Sequence, residues 1–303
     1  MSIASSNRGR TVVVTGAGGL IGSYLVGSAL RWMPDSRVVG LTRHELDLTD
    51  RSATKEMWQR LQPEALVHCA AISKALACDH DPELARRVNV EATSHLADLA
   101  SAAGARLLFM STDHVFDGRQ GSYIETDPVN PLTIYGETKV AAERVVLAHE
   151  RHLVLRTSLN AGLSPTGDRS FVEELILAWR ARRPLTLFAD EYRCPIPAVV
   201  TARAIWELIR GAPPGLYHLA GQERLSRWDL GRLIAALYPE LEPSLRPGTL
   251  RDYAGPPRSP DLSLDCDKVR RHLSFQLPGF QVWLQRQGGI PTKDLWRPDN
   301  EAI

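Results

Sequence analysis

The chain has 303 residues, of which 44% are hydrophobic and 23% are charged, with a formal net charge of +1 at pH 7. This composition is typical of a globular protein with a sizeable core, in one large domain or two smaller ones. A charge so close to zero gives no indication of nucleic acid or an anionic membrane as a partner. The first ten residues lack an apolar signal core and no apolar run is long enough to span a bilayer, so a cytoplasmic protein is expected.

The four cysteines, Cys69, Cys78, Cys194 and Cys266, are scattered along the chain and form no Cys-x-x-Cys pair. Such a pattern indicates neither a zinc site nor a disulfide framework, and reduced thiols are expected. No other spacing of metal ligands is evident in the sequence. We therefore predict no metal in the site, with a magnesium-bridged dimer left open.

The N-terminal part of the chain predicts a phosphate-binding turn. Residues 11–15 are a β-branched run typical of a buried strand, and an apolar helix follows at residues 23–32. Glycines between a strand and a helix let the backbone approach a pyrophosphate, and the helix N-terminus offers free N–H groups. A plain glycine turn is the alternative, but the flanking strand and helix favour dinucleotide binding. The residues predicted to hold the cofactor here are Gly16, Gly19, Leu20, Ile21 and Gly22.

The end of the second predicted strand, residues 37–41, bears on the choice of dinucleotide. NAD-binding folds often place an acid there to hold the ribose 2′-hydroxyl. This chain continues Thr-Arg-His instead, and Arg43 can pair with a 2′-phosphate, or it is a surface cation. We predict NADPH as the cofactor and keep NADH as the alternative. Asp47 and Leu48 come next, where a short strand end would place Asp47 near the adenine.

A third buried strand is predicted at residues 65–71 and ends in small side chains. Ala70 and Ala71 would let a flat cofactor lie close to the backbone, and Ser73 begins the loop beyond them. Asn89 lies in the long helix predicted next. Its amide would hold a main-chain group near the site, or it would be exposed.

Polar side chains follow the fourth predicted strand, residues 106–110. The carboxyl ends of parallel strands are where open α/β sheets bind ligands. The residues placed there by the sequence are Thr112, Asp113, His114 and Val115.

Tyr135 and Lys139 are four residues apart in a helix predicted at residues 133–149, so they lie on one face. A phenol beside an ammonium is a usable acid, because the cation lowers the pKa of the tyrosine toward the working range. Thr112 can hydrogen-bond the oxygen that Tyr135 protonates. A lone Tyr-x-x-x-Lys is usually a solvated helix face, and this one gains its weight from the segments that precede it.

Five stretches together resemble the extended short-chain dehydrogenase/reductase family, and within it the dTDP-4-dehydrorhamnose reductases. They cover most of the first half of the chain, in the family's order and spacing. They are Thr-Gly-Ala-Gly-Gly-Leu-Ile-Gly at 15–22, Ser-Thr-Asp-His-Val-Phe-Asp-Gly at 111–118, Glu-Thr-Asp-Pro-Val-Asn-Pro at 125–131, Tyr-Gly-Glu-Thr-Lys at 135–139 and Leu-Arg-Thr-Ser at 155–158.

The resemblance implies an α/β fold, with a Rossmann-type doubly wound parallel sheet and a smaller α/β substrate-binding domain. The NAD(P)-binding domain would span residues 1–160, with residues 199–220 returning to it. Residues 161–303 would mainly form the substrate-binding domain, and the polar tail at 289–303 is expected to be loose. A homodimer is common in this family.

The resemblance also implies an activity: NADPH-dependent reduction of a keto group on a nucleotide-linked deoxysugar, as in dTDP-rhamnose biosynthesis. Thr112, Tyr135 and Lys139 would be catalytic, and Lys139 would also hold the nicotinamide ribose. Arg193 lies in a stretch similar to the family's segment near the sugar nucleotide, and the alternative for it is a surface salt bridge. The residues proposed to bind substrate are Ser73, Asp113, His114, Val115 and Arg193.

Three positions depart from the family pattern. His114 replaces a tyrosine, Ser-Lys-Ala-Leu at residues 73–76 replaces Thr-x-Val-Asp, and Leu159 replaces a tryptophan. Two other functions therefore stay open. One is an NAD-retaining epimerase or dehydratase, which the missing acid after the second strand disfavours. The other is a non-enzymatic regulatory subunit, like that of methionine adenosyltransferase.

Overall fold

A six-stranded parallel sheet forms the centre of the protein in the computed structural model, which describes residues 10–287 and 292–298. Three further pairs of short strands lie in the second half of the chain. The strands are β1 (Arg10–Thr15), β2 (Ser36–Leu41), β3 (Ala65–His68), β4 (Arg106–Thr112), β5 (Leu153–Thr157), β6 (Asn160–Ala161), β7 (Leu185–Phe188), β8 (Tyr192–Arg193), β9 (Ile196–Pro197), β10 (Gly215–Leu219), β11 (Leu225–Ser226) and β12 (Leu245–Gly248).

Helices cover both faces of this sheet. Among the residues that the structure describes, no helix combines the length and the apolar composition needed to cross a bilayer. The helices are α1 (Leu20–Trp32), α2 (Arg51–Leu61), α3 (Ala75–His80), α4 (Pro82–Arg86), α5 (Ala92–Ala102), α6 (Ile134–Leu147), α7 (Phe171–Arg180), α8 (Ala198–Gly211), α9 (Arg227–Ala235), α10 (Asp267–Arg270), α11 (Phe280–Arg286) and α12 (Thr292–Leu295), with a π-helical turn at Arg87–Glu91 joining α4 to α5.

The strand order is β2-β1-β3-β4-β5-β10. The chain runs from β1 to β2 on one side and then returns to add β3 on the other side of β1. Such a reversal leaves a crevice at the carboxyl ends of the strands, which is where doubly wound sheets bind ligands. The predicted fold class is confirmed.

Alternate side chains of the central strands point to opposite faces of the sheet and pack into two separate core layers. Leu107 and Phe109 pack in the layer that contains residues of α2, α5 and α6, whereas Leu108 and Met110 pack in the layer of α1, α7 and α8. A parallel strand buried on both faces is expected to be an almost continuous apolar run, as residues 107–110 are. β4 is therefore covered by core on both faces.

The second half of the chain both extends the central sheet and builds the short-strand pairs. β10 pairs with β5 in parallel, from Gly215 opposite Leu153 to Leu219 opposite Thr157. The pairs β6 with β9, β7 with β12 and β8 with β11 all involve residues after 159. The proposed division into two domains at residue 160 stays a prediction.

Two segments differ from the sequence prediction. Residues 75–80 form α3, where a loop was expected. Residues 292–298 of the tail also pack against the protein, because Trp296 is 4% exposed and its ring centroid lies 5.6 Å from that of Trp283. Its Nε1 donates a hydrogen bond to the Tyr238 hydroxyl at 3.0 Å, so burial of one large ring anchors the segment. The expectation of a loose tail is wrong for residues 292–298, and the rest of 289–303 lies outside the described residues.

The turn between β1 and α1 requires glycine at two positions. Gly16 has φ +71°, and a Cβ there would lie 2.7 Å from the Ala70 nitrogen. A Cβ on Gly22 would overlap the carbonyl oxygen of Gly16. Both contacts involve backbone atoms, which cannot move aside as a side chain can.

Replacing Gly22 with alanine should therefore lower the free energy of unfolding by about 2 kcal/mol or more, because the added methyl group forces the turn apart. Gly211→Ala is the matched control, since Gly211 ends α8 with no atom within 4 Å of an added Cβ. That variant should be unchanged, or more stable by up to about 1 kcal/mol, from helix propensity. Urea denaturation measures both, and equal midpoints for Gly22→Ala and the unmodified protein would contradict the tight turn.

Candidate active site

The glycine turn forms a cradle at the carboxyl end of β1. Gly19 is the N-cap of α1 and makes no side-chain cap hydrogen bond. The first N–H groups of a helix, here those of Leu20, Ile21 and Gly22, have no acceptor within the helix. A side chain at Gly16 or Gly22 would fill the space against the backbone. This combination of exposed donors and missing side chains fits the pyrophosphate of a dinucleotide.

The loop after β3 lies directly against this turn and is fixed by Asn89. Asn89 is 1% exposed and sits in the π-helical turn between α4 and α5. Its Oδ1 accepts a hydrogen bond from the Ile72 nitrogen at 2.8 Å, and its Nδ2 donates to the Ile72 oxygen and to Thr138 Oγ1, both at 3.0 Å. Of the two alternatives for Asn89, the structure shows the one in which it holds main chain. Ala70, two residues before Ile72, lies beside Gly16.

The end of β2 carries Arg43 and an acid, Glu45, that was not predicted from the sequence. Arg43 is exposed, and Glu45 folds back so that its Oε2 accepts a hydrogen bond from the Thr42 nitrogen at 2.7 Å. This bond holds the pKa of Glu45 below its usual value. A carboxylate therefore does stand at the end of the second strand. The carboxylate of Glu45 reaches the end of β2 because the chain reverses through residues 42–45. An acid four residues after the strand is not expected there from the sequence pattern.

Asp47 and Leu48 lie farther along the same edge. Asp47 is exposed and its Oδ1 accepts hydrogen bonds from the Thr49 nitrogen at 2.9 Å and the Thr49 hydroxyl at 2.7 Å. These bonds, more than the charge of Arg43, lower the pKa of Asp47. Leu48 is 9% exposed and packs in the core layer of α2 and α5.

Tyr135 stands in the first turn of α6, beside the last residue of β4. Thr133 caps this helix by accepting a hydrogen bond from the Gly136 nitrogen at 3.2 Å. Tyr135 is half-buried, and the Thr112 hydroxyl beside it donates a hydrogen bond to Asp113 Oδ1 at 3.2 Å. Desolvation by the surrounding protein raises the pKa of Tyr135, while the neighbouring Thr112 side chain acts in the opposite direction. The expectation that Lys139 lowers this pKa is wrong, because the pKa is raised by desolvation and Lys139 is not among the groups that shift it.

Lys139 is one turn farther along α6 and is 2% exposed. Its Nζ donates a hydrogen bond to the Met110 oxygen at 2.5 Å and lies 3.9 Å from the centroid of the Phe109 ring. Burial lowers the pKa of Lys139 to about 7, and the neighbouring carboxylate of Glu143 opposes this change. The ammonium is thus buried beside the site, and this burial favours loss of its proton.

Asp113 and Arg193 are joined inside the protein. Asp113 Oδ2 accepts a hydrogen bond from the Ser158 hydroxyl at 2.8 Å and lies 3.8 Å from Arg193 Nε. Arg193 is 3% exposed, and its Nη2 is 3.2 Å from a carboxylate oxygen of Glu191. Glu191 also pairs with Arg227 at 3.1 Å and Arg258 at 2.6 Å. A surface salt bridge, the alternative for Arg193, is therefore wrong, because Arg193 belongs to a buried cluster.

The remaining predicted substrate residues differ in their accessibility. His114 is half-buried, its ring meets that of Tyr135 edge-on at 6.1 Å, and burial lowers its pKa to about 4, so it is neutral at neutral pH. Ser73 is exposed just before α3. Val115 is fully buried in the core, and its carbonyl accepts a hydrogen bond from the Asn130 nitrogen at 2.9 Å. The structure therefore groups His114 with Tyr135 and turns the Val115 side chain away.

Two buried charged residues beside the site were not singled out in the sequence. Glu143 follows Lys139 by four residues on α6, and Arg156 is the next-to-last residue of β5. A charged residue within a buried strand, and a second polar residue at helical spacing after Lys139, were the available signals. The part of the chain described by the structure contains no cluster of three or more metal-ligating side chains.

Comparisons with known proteins agree with this architecture. The profile of the RmlD substrate binding domain matches residues 10–287. Methionine adenosyltransferase 2 subunit beta of Xenopus laevis is 30% identical over 292 residues, which cover 91% of this chain and 86% of that protein. A dTDP-4-dehydrorhamnose reductase of Sinorhizobium fredii is 28% identical over 288 residues, covering 91% and 95%.

Among solved structures, the dTDP-4-dehydrorhamnose reductase of Bacillus anthracis, in complex with NADP, superposes with a TM-score of 0.83 at 25% identity. The superposition covers 91% of this chain and 98% of that one. The predicted resemblance to extended short-chain dehydrogenases/reductases is confirmed, and the chain belongs to the RmlD substrate binding domain family.

Proposed function

We propose that this protein is an NADPH-dependent reductase of a keto group on a nucleotide-linked deoxysugar, similar to dTDP-4-dehydrorhamnose reductase. The observation that carries the proposal is the pair of Tyr135 and Thr112, which lie side by side with Lys139 one helical turn away. The pair lies at the carboxyl edge of the same sheet as the glycine cradle. The reductases of Sinorhizobium fredii and Bacillus anthracis, the latter in complex with NADP, support this activity and this cofactor.

The residues of the chain divide the chemistry between them. NADPH supplies the hydride when it is bound. Because desolvation raises its pKa, Tyr135 keeps its proton at neutral pH and can donate it to the oxygen of the reduced carbonyl. Thr112 donates a second hydrogen bond to that oxygen and so stabilises the negative charge that develops there. The Lys139 ammonium then stabilises the phenolate that Tyr135 leaves, and it holds the nicotinamide ribose.

We assign the binding of the sugar nucleotide to the side of the site formed by Asp113, His114 and Ser73. Neutral His114 can both donate and accept a hydrogen bond, so it can replace the tyrosine of the family at a sugar hydroxyl. Arg193, although buried, is one of three arginines that pair with Glu191. The cluster as a whole therefore has an excess of positive charge. Such an excess suits the diphosphate of a sugar nucleotide.

A second function is favoured by one comparison. The beta subunit of methionine adenosyltransferase 2 is as similar to this chain as the reductases are. As a regulatory subunit, the protein would bind a nucleotide and a partner without turnover. The intact Thr112, Tyr135 and Lys139 favour the enzyme, because a non-enzymatic subunit has no need of a tyrosine poised as an acid.

Tyr135→Phe should reduce turnover of a dTDP-4-keto-6-deoxysugar by about 100-fold or more, because the general acid is removed. The affinity for NADPH should stay within about twofold, since the phenyl ring is retained. Steady-state kinetics and fluorescence titration measure the two quantities. Tyr217→Phe is the control: its hydroxyl donates to the Pro213 oxygen at 2.8 Å, away from the site, so turnover should be preserved. Unchanged turnover in Tyr135→Phe would rule out the acid role.

Arg43→Ala should weaken NADPH binding by about tenfold or more, because a charge-assisted bond to the 2′-phosphate is lost. NADH binding should hardly change. Arg37→Ala, an exposed arginine near the start of β2, is the control and should leave both affinities as they were. Fluorescence titration with each dinucleotide gives the comparison. Equal losses for NADPH and NADH in Arg43→Ala would show that Arg43 does not select the phosphate, and would turn attention to Glu45 and NADH.

A further inference from the structure

Three polar side chains lie on one face of α6, one turn apart: Tyr135, Lys139 and Glu143. The first two belong to the proposed reaction. Glu143 is 2% exposed and has no part in it so far. Burial of a carboxylate costs free energy unless the carboxylate is paired and hydrogen-bonded, so Glu143 must have partners in the interior.

Glu143 is held in place from the sheet below. Arg156 donates two hydrogen bonds to it, from Nε to Oε1 at 2.9 Å and from Nη2 to Oε2 at 2.7 Å. The Ser111 hydroxyl donates to Oε1 at 2.5 Å. Ser111 and Arg156 are direct neighbours across β4 and β5. The register of the sheet therefore presents three donors to one carboxylate on the helix above, and a two-pronged arginine contact fixes its orientation.

The far side of Arg156 meets a neutral group. His218 is its neighbour on β10, and the two nitrogens, Arg156 Nη1 and His218 Nε2, are 3.4 Å apart. Since arginine can only donate, Nε2 must accept, and Nδ1 donates to the Tyr123 oxygen at 3.0 Å. Burial lowers the pKa of His218 to about 4, so this histidine carries no charge at neutral pH. Arg156 and Glu143 then form a balanced pair.

The other titratable groups that face Lys139 are also neutral. On β3, burial lowers the pKa of His68 to about 3, and just beyond it desolvation raises the pKa of the Cys69 thiol to about 12. From β4 the ammonium meets only the Met110 carbonyl and the Phe109 ring. Among these described neighbours, Glu143 alone brings a negative charge to Lys139 at neutral pH.

We propose that Glu143 is a positioning residue that keeps Lys139 in its charged form beside Tyr135, and that Arg156 and Ser111 hold the carboxylate where it can do so. For its role in turnover this inference rests on the proposed function, whereas the effect on the charge of Lys139 does not. Removal of the carboxylate should make Lys139 lose its proton at lower pH, since an opposite charge no longer favours the ammonium.

The direct test is the titration of Lys139 by NMR in protein labelled with carbon-13 at lysine. The chain has only five lysines, Lys55, Lys74, Lys139, Lys268 and Lys293, so Lys139→Arg identifies the signal. In Glu143→Gln the midpoint should fall by about one pH unit. Glu137→Gln, an exposed acid on the same helix, is the matched control and should leave the midpoint where it was. An unchanged midpoint in Glu143→Gln would overturn the proposal.

Glu143→Gln leaves Arg156 buried without its partner and can therefore fail to fold. The double variant Glu143→Gln with Arg156→Gln removes both charges and avoids that cost. The Lys139 midpoint should again fall, but by less than in Glu143→Gln, because loss of the Arg156 cation acts in the opposite direction. A midpoint that stays at the wild-type value in the double variant would equally contradict the proposal.

The pH profile of kcat/KM supplies the functional arm. Its basic limb should move to lower pH in Glu143→Gln by the same amount as the NMR midpoint, a coupling that a purely structural role would not produce. If the wild-type protein shows no turnover but the NMR midpoint shifts as predicted, the proposed function fails and the assignment to Glu143 stands. If turnover is present and neither midpoint nor limb moves, the assignment fails and the reductase stands.

Discussion

The burial of the Lys139 ammonium is the constraint around which the site is built. An ammonium placed over the Phe109 ring with 2% exposure loses most of its hydration, and the interior must replace it. The Met110 carbonyl accepts a hydrogen bond from it, the negative charge of Glu143 one helical turn farther along α6 favours its charged form, and Glu143 in turn is paired with Arg156. The buried ammonium is thus accompanied by a layer of polar side chains on β4, β5, β10 and α6, within a core that is otherwise apolar.

The same constraint separates the two faces of the sheet. One face packs apolar side chains against α1, α7 and α8. The other carries Ser111, Arg156 and His218 side by side at the carboxyl end, and apolar residues such as Leu107 and Val154 nearer the amino end. Apolar packing therefore occupies the amino end of this face, and hydrogen-bonded polar and charged side chains occupy the carboxyl end. A layer of this kind suits a site in which a proton must be transferred at a fixed position.

The fold and the main elements of the site were predictable because their signals are local. Glycines at 16, 19 and 22 between a strand and a helix, and Tyr135 with Lys139 at helical spacing, depend on a few adjacent residues. The features that escaped prediction depend on contacts between distant segments. Glu45 reaches the end of β2 through a chain reversal, and Arg193 is drawn into a buried cluster by Asp113 and Glu191. Likewise, Trp296 is buried within residues 292–298 only because Trp283 and Tyr238 contact it.

The proposed reductase turns over a nucleotide-linked keto sugar, whereas a regulatory subunit would only bind a nucleotide. The most direct measurement is the consumption of NADPH by the unmodified protein with a dTDP-4-keto-6-deoxysugar, with the sugar product quantified and NADH run in parallel. A reductase should give one reduced sugar for each NADPH oxidised, with NADPH preferred over NADH. Tight NADPH binding without any sugar reduced, together with a stable complex with a methionine adenosyltransferase catalytic subunit, would contradict it and establish the regulatory function instead.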